Sequence, residues 1–505
     1  MTESSPSSVS PIPLSAATLA DLGPEVARPQ YDRSQASVGV VHFGVGGFHR
    51  THQAMYLDTL MNDGRALDWG ICGVGVMPTV DEKMKAVMAA QDCLYTMVIK
   101  HPDGTFEPRV IGSILEYLFA PDDPDAVIER MADPAVKIVS LTVTEGGYNI
   151  HAVTGQFDVT NPDVVHDAEP GATPRTVFGL ITEALRRRWD RGLAPFVVMS
   201  CDNIPGNGEV ARGSLAAFAR LRDAGLADRI ETEVLFPNGM VDRITPATTD
   251  DDRAEVARRF GVQDGWPVVC EPFTQWVLED FDHAQRPPLE DVGVQIVDEV
   301  APYELMKLRL LNGSHQALTY FGYLAGYRYA HEVCQDPLFA QFLLAYMDTE
   351  ATPTLAPVPG IDLAAYKPNL IERFSNPQVR DTLARLCMES SDRIPKWLLP
   401  VVRDNLASGG PISLTVAVVA SWARYAEAVD EQGEPIVVVD RLRDSLIQTA
   451  RTYPSDPLGF VRNRELFGDL VDNERFTTEY LSILDRLHTQ GARKTLEHLT
   501  AEHHA

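Results

Sequence analysis

Cysteine is scarce and poorly spaced for chemistry. The six residues, at positions 72, 93, 201, 270, 334 and 387, form no CxxC pair and no His/Cys cluster of metal-ligand spacing. That argues against a structural zinc site and a disulfide framework, and it reads as reduced core thiols of a cytoplasmic protein. Positive charge is also short. Lys and Arg number 44 against 71 Asp and Glu, a net charge of −27. A surface so acidic disfavours nucleic acid, although a few local arginines could still hold a small anion. No run of 18 apolar residues offers a membrane span. The opening MTESSPSSVSPIPLSAATL has neither a basic nor an apolar region, so it does not read as a signal peptide. No internal repeat is visible.

What is present reads as two domains. With 505 residues, 45% apolar and 23% charged, the chain can bury two sizeable cores. Residues 1–36 form a Ser/Pro-rich lead, with one short helix expected around Leu14–Leu22. Val38–Phe43 reads as a buried strand, Gly44-Val45-Gly46-Gly47 as a tight turn, and Thr51–Met61 as a helix. Strand, glycine turn and helix form the context that a dinucleotide pyrophosphate needs, because close backbone approach and free helix amides meet there. Further strands are expected at Trp69–Val76, Val110–Ile114, Ile138–Val143 and Pro195–Ser200, and a helix at Thr176–Arg188. Asp81 follows the second strand, where a carboxylate can bond the adenosine ribose. Thr144-Glu145-Gly146-Gly147-Tyr148 and Asp202-Asn203 follow later strands; taken alone, Asp202-Asn203 is ordinary turn chemistry. Asp242-Arg243 likewise reads as an ion pair. From about residue 300 the periodicity is helical almost throughout. The expected architecture is α/β, a Rossmann-type dinucleotide-binding domain over 37–299, followed by an all-α domain over 300–505.

One helical stretch resists a bland reading. Tyr303-Glu304-Leu305-Met306-Lys307-Leu308-Arg309-Leu310-Leu311-Asn312-Gly313-Ser314-His315 has an apolar body with polar groups set into it. At roughly 100° per residue, Lys307, Asn312 and His315 point to about 0°, 140° and 80°, and Glu304 to about 60°. Lysine can take a hydroxyl proton, and Asn and His can donate to the oxygen left behind. The spread is wide, and Lys307 and His315 would stand ~12 Å apart along an ideal helix. An amphipathic helix with a solvated side is the ordinary alternative.

Four segments, in order, resemble the mannitol dehydrogenase family of polyol-specific long-chain dehydrogenases. They are GVGGFHRTHQ, TEGGY, the LFPNGMVDRITP signature and YELMKLRLLNGSHQALTYFGYLAGY with its KxxxxNxxH pattern. The resemblance runs from about residue 14 to 498. It implies metal-independent, NAD-dependent (NADP possible) oxidation of a polyol to a ketose, D-mannitol to D-fructose first among candidates. A small-molecule polyol or ketose is the implied partner. In the family's terms Lys307 is the general acid/base, Asn312 and His315 hold the reacting oxygen, and Glu304 relays protons. The implied cofactor residues are Val41, His42, Phe43, Gly44, Val45, Gly46, Gly47, Phe48, His49, Arg50, Thr51, His52, Asp81 and Glu145. Asn203, Asp242, Arg385 and Arg393 fall on substrate-binding positions, the last standing where a lysine is expected. D-arabinitol dehydrogenases and fructuronate or tagaturonate reductases are the rivals within this chemistry. A nucleotide-binding sensor without turnover is the rival outside it, and the complete Lys/Asn/His set argues against it.

Overall fold

The computed structural model describes residues 10–150 and 156–504. The chain divides into two compact units, Met1–Ala301 and Pro302–Ala505.

The first unit is built on a five-stranded parallel sheet. Its strands are β1 (Val38–Phe43), β2 (Gly70–Gly75), β3 (Ile114–Phe119), β4 (Ile138–Leu141) and β5 (Val197–Ser200). They lie in the order β3-β2-β1-β4-β5. The order reverses at β1, and an open parallel sheet binds ligands at such a switch point. The strands are near-continuous apolar runs because helices cover both faces. Val41, Phe43, Val139 and Val198 pack on Phe178, Ile181 and Leu185 of the helix Val177–Asp190 on one side. Val40, Ile71 and Ile138 pack on Leu57, Leu60 and Met61 on the other. A second sheet pairs Gln275–Glu279 antiparallel with Gly239–Asp242 and parallel with Gln295–Val297.

Three expectations change here. Val110–Ile114 is not one strand: Phe106–Ile111 pairs with Tyr95–Lys100, and β3 starts anew at Ile114. Gly112 and Ser113 lie between, where the Gly112 amide donates to buried Asp58 at 2.9 Å. The lead is not loose. Ile12–Pro13 pairs with Val262–Gln263, and Leu14, Leu22 and Val26 enter a small core with Val98, Val110 and Val256. The helix expected over Leu14–Leu22 shrinks to a single 3₁₀ turn, Leu19–Asp21. Residues 1–9 of that lead lie outside the described residues.

The second unit is helical throughout. Its central helix is Ser413–Ala426, in which every residue but Ser413 and Arg424 is buried. The helices Gly313–Leu324 and Glu474–Gln490 pack against it. The helical periodicity is not realised everywhere: between Val379 and Met388 only a single helical turn forms, Leu383–Leu386, because Thr382 caps it and the backbone turns left-handed at Glu389.

Candidate functional site

In the first unit the glycine turn leaves β1 at Phe43. Gly44 has φ +92°, and a Cβ there would overlap the Thr142 carbonyl, so only glycine fits. The helix begins earlier than periodicity suggests. It runs Gly47–Thr51, breaks at His52 (φ −122°, ψ −94°), and resumes as Gln53–Asn62. No side chain caps its start at Gly46. A Cβ at Gly46 would meet nothing nearer than 3.9 Å, so the space over the turn is open to a ligand. The first amides of the helix therefore lack intrahelical partners beside an open cradle, which fits a pyrophosphate.

Side chains around this turn face inward. Val41, His42 and Phe43 are buried in the sheet. His42 bonds Ser140 at 2.8 Å and Thr142 at 2.9 Å and stacks on His49 at 3.4 Å. Burial pushes His42 down to about 3 and holds His49 well below its ordinary value, so both rings are neutral. His52 meets the Gln275 carbonyl at 2.9 Å. Arg50, whose position suggests a phosphate ligand, is buried instead. Its guanidinium donates to the carbonyls of Gly46 and Trp266 and lies over Tyr95, and burial lowers it to about 10. It clamps the glycine turn from behind. Of the implied cofactor run, the amides left at the turn's open side are those of Val45, Gly47 and Phe48, since the Gly44 amide donates to the Val74 carbonyl and the Gly46 amide to that of Gly44.

The strand ends carry the remaining candidates of this unit. Asp81 opens the helix Val80–Ala90 after β2, and its carboxylate accepts from the Val76 and Met77 amides, each at 2.8 Å. Glu145 is exposed on the turn after β4, and Asn203 is exposed on the turn after β5. Asp202 joins those two turns. It accepts from the Val143 and Thr144 amides and from the Tyr148 hydroxyl at 2.7 Å. Burial raises it to about 6. Asp242 ends the strand Gly239–Asp242 and is only 4% exposed. The guanidinium of Arg243 donates to the carbonyls of Glu271, at 3.1 and 3.0 Å, and of Thr51, at 2.7 Å. Arg243 thus ties Asp242's strand to the glycine-turn helix. Asn207, buried, links Asp202 to Gly239 in the same way.

In the second unit the wheel drawn at 100° per residue is overturned. Lys307–Asn312 is a π-helical segment between Ala301–Met306 and Gly313–Leu324. The Gly313 amide donates to the Leu308 carbonyl, five residues back, and to that of Leu310. At about 4.4 residues per turn, Lys307 and Asn312 lie roughly 50° apart instead of roughly 140°. The α-helical steps on either side then bring His315 and Glu304 into the same sector of about 70°. Lys307 is 8% exposed and Asn312 5%. Among the described residues, the Asn312 Nδ2 is a buried donor without a hydrogen-bond partner. The nearby Ser314 Oγ and Gln316 Nε2 share that state among the described residues, and a bound ligand is one explanation for such a donor. His315 packs on Phe374 with ring centroids 4.3 Å apart. Arg385 makes a bidentate ion pair with Asp381, at 2.7 and 2.5 Å, as an ordinary salt bridge would. Arg393 donates to the Leu386 carbonyl at 3.1 Å and lies over Trp397.

Two family models match this chain: the mannitol dehydrogenase Rossmann domain over residues 38–291 and the mannitol dehydrogenase C-terminal domain over 299–488. The chain belongs to the mannitol dehydrogenase family. It is 46% identical to the mannitol 2-dehydrogenase of Aspergillus fumigatus over 481 residues, covering 94% of this chain and 95% of that protein. It is 44% identical to mannitol dehydrogenase 2 of Saccharomyces cerevisiae, with 95% of each covered. Its fold matches the Pseudomonas fluorescens mannitol 2-dehydrogenase ternary complex with NAD and D-mannitol at TM-score 0.90 and 44% identity, over 97% of this chain and 100% of that one. A substrate-free D-sorbitol dehydrogenase matches at TM-score 0.87 and 36% identity, over 96% and 100%.

This member of the mannitol dehydrogenase family also holds residues whose contacts sequence reasoning did not find. Arg243 and Asn207 brace Asp242's strand, and Tyr346 reaches the π segment. An Arg or Asn among apolar residues is the available signal, but it cannot say which carbonyl is bonded. Among the described residues, no group of three or more His, Cys, Asp or Glu could hold a metal ion, and no helix is long and apolar enough to cross a membrane. All six cysteines are free and buried.

Proposed function

We propose that this chain is an NAD-dependent, metal-independent polyol dehydrogenase that interconverts D-mannitol and D-fructose, with Lys307 as acid/base. The observation that carries the reading is the π segment: at its wider pitch a lysine, a buried amide nitrogen without an acceptor among the described residues, and a histidine fall in one sector of the helix. The near full-length likeness to mannitol 2-dehydrogenases supports the substrate.

The backbone amides of Val45, Gly47 and Phe48 would hold the cofactor's pyrophosphate, with Asp81 toward its adenosine ribose and Glu145 on a bordering turn. Bound NAD supplies the hydride acceptor. Neutral Lys307 takes the proton of the reacting hydroxyl. Asn312 and His315 donate hydrogen bonds to that oxygen, and these strengthen as negative charge develops on it. Glu304 passes the lysine's proton toward solvent. Asp242 accepts from substrate hydroxyls, as a carboxylate can from two at once, and Asn203 adds a further polar contact. Arg385 and Arg393 serve the far end of the polyol, Arg385 while remaining paired with Asp381.

The likeness to a D-sorbitol dehydrogenase favours one second reading, a different polyol on the same machinery. The test is a screen of mannitol, sorbitol, arabinitol, fructose and the two uronates with NAD(H) and NADP(H), after exhaustive chelation. Mannitol and fructose should lead with NAD(H) at undiminished rate. A leading uronate would overturn the substrate, and activity lost on chelation and restored by zinc would overturn the lysine chemistry.

A further inference from the structure

A π turn has a backbone cost. Widening the helix by one residue leaves a carbonyl without its usual amide. Here that carbonyl belongs to Arg309. In an unbroken α-helix the Gly313 amide would bond it, but that amide goes to Leu308 and Leu310. The hydroxyl of Tyr346 takes its place and donates to the Arg309 carbonyl at 2.8 Å. Tyr346 is fully buried.

The seat of this hydroxyl is built in from several sides. A Cβ at residue 313 would overlap the Tyr346 hydroxyl and come within 3.2 Å of Cζ, so Gly313 is the residue that admits it. The Arg309 side chain anchors the same turn outward, donating to the Thr354 carbonyl at 2.7 Å and pairing with Asp404 at 2.7 Å. Tyr346 itself opens a second π segment, Tyr346–Ala351. That segment is fixed by Glu350, whose buried carboxylate accepts from the Leu414 and Thr415 amides at 2.7 and 2.8 Å. A rigid tyrosine thus meets the carbonyl that the Gly313 amide passes over.

We infer that Tyr346 is a positioning residue of this enzyme: its hydroxyl holds the π turn that sets Lys307 and Asn312 on one face. The inference rests on the proposed roles of those two residues. Without the hydroxyl, Arg309's carbonyl loses the donor that stands in for the Gly313 amide. The turn then gains by returning its amide to the α pattern, which swings Lys307 and Asn312 apart by roughly 90°.

The experiment uses the full chain and compares Tyr346→Phe, Gly313→Ala, their double variant and Lys307→Ala. Tyr346→Phe should lower kcat for mannitol oxidation tenfold or more, with KM and the NADH Kd within about threefold of wild type. The pH profile of its kcat should also shift by half a unit or more, because the lysine loses its setting. Gly313→Ala, whose methyl displaces the hydroxyl, should act in the same direction. The double variant should be no more than about twofold worse than the poorer single, as for two changes acting through one turn. A wild-type kcat and pH profile in Tyr346→Phe, beside an inactive Lys307→Ala, overturns the inference and leaves the proposed function standing. So does a rate loss that only tracks lost folded protein with the pH profile unmoved. An active Lys307→Ala overturns the reading beneath it. Should Tyr346→Phe not accumulate as folded protein, Gly313→Ala decides alone: wild-type rate and profile there overturn the inference.

Discussion

Asn312→Leu removes a buried amide whose nitrogen meets no acceptor among the described residues, while keeping nearly the same volume. The two consequences have opposite signs. Nδ2 of Asn312 is buried and has no hydrogen-bond partner among the described residues. Folding therefore desolvates this donor with no return, a cost of ~1–3 kcal/mol. Leucine removes that cost, so the variant should be as stable as wild type or more so. The reacting oxygen meanwhile loses one aligned donor. Such donors are worth ~10²–10³ in kcat, or about 2.7–4 kcal/mol of barrier. Steady-state kcat at saturating mannitol and NAD, set beside a denaturant melt, reads both. A stable variant with kcat reduced a hundredfold is expected. Wild-type turnover would refute the reasoning. So would a fall in stability as large as the rise in barrier, because Asn312 would then be holding the fold and not the substrate.

Other perturbations test other parts. Asp242→Ala should lower kcat/KM for mannitol and fructose by a factor of about ten to a hundred, the ~1–3 kcal/mol of a lost buried hydrogen bond, with NADH affinity unchanged by fluorescence titration. Asp81→Ala should narrow the preference for NAD over NADP tenfold or more, since a carboxylate repels a 2′-phosphate; an unchanged kcat/KM ratio would count against it. Asp202, raised by burial to about 6 against ~3.9 unfolded, contributes stability that is present below about pH 4 and lost as pH rises through 6, up to ~3 kcal/mol. Asp202→Asn should flatten that part of the stability-against-pH curve, measured by urea melts at pH 4.5, 5.5 and 7.

The sequence made some of this legible and hid the rest, for physical reasons. Strand β1 and its glycine turn are readable because a buried parallel strand is an unbroken apolar run and a left-handed residue calls for glycine, as Gly44 shows. The Lys/Asn/His pattern was readable as chemistry but not as geometry. A wheel drawn at 100° per residue spreads the three widely, and nothing local in KLRLLN announces a π turn. Its support, Tyr346, arrives from a segment 37 residues away. The contacts of Arg50 are hidden for a related reason: the carbonyls that claim it come from both near and far, Gly46 and Trp266. The lead after residue 10 looks polar because only three of its residues, Leu14, Leu22 and Val26, are buried, too far apart to form a continuous apolar run.

The central claim is that Lys307 moves the proton. Its most direct test is the pH profile of kcat for mannitol oxidation and fructose reduction in wild type and in Lys307→Ala. Oxidation needs the neutral amine and reduction the ammonium, so wild-type oxidation should rise with pH while reduction falls. Lys307→Ala should lose ~10²–10⁴ in kcat, the usual worth of a general acid/base, with the NADH Kd intact. An alanine variant that keeps both the rate and the opposed pH limbs would contradict the account.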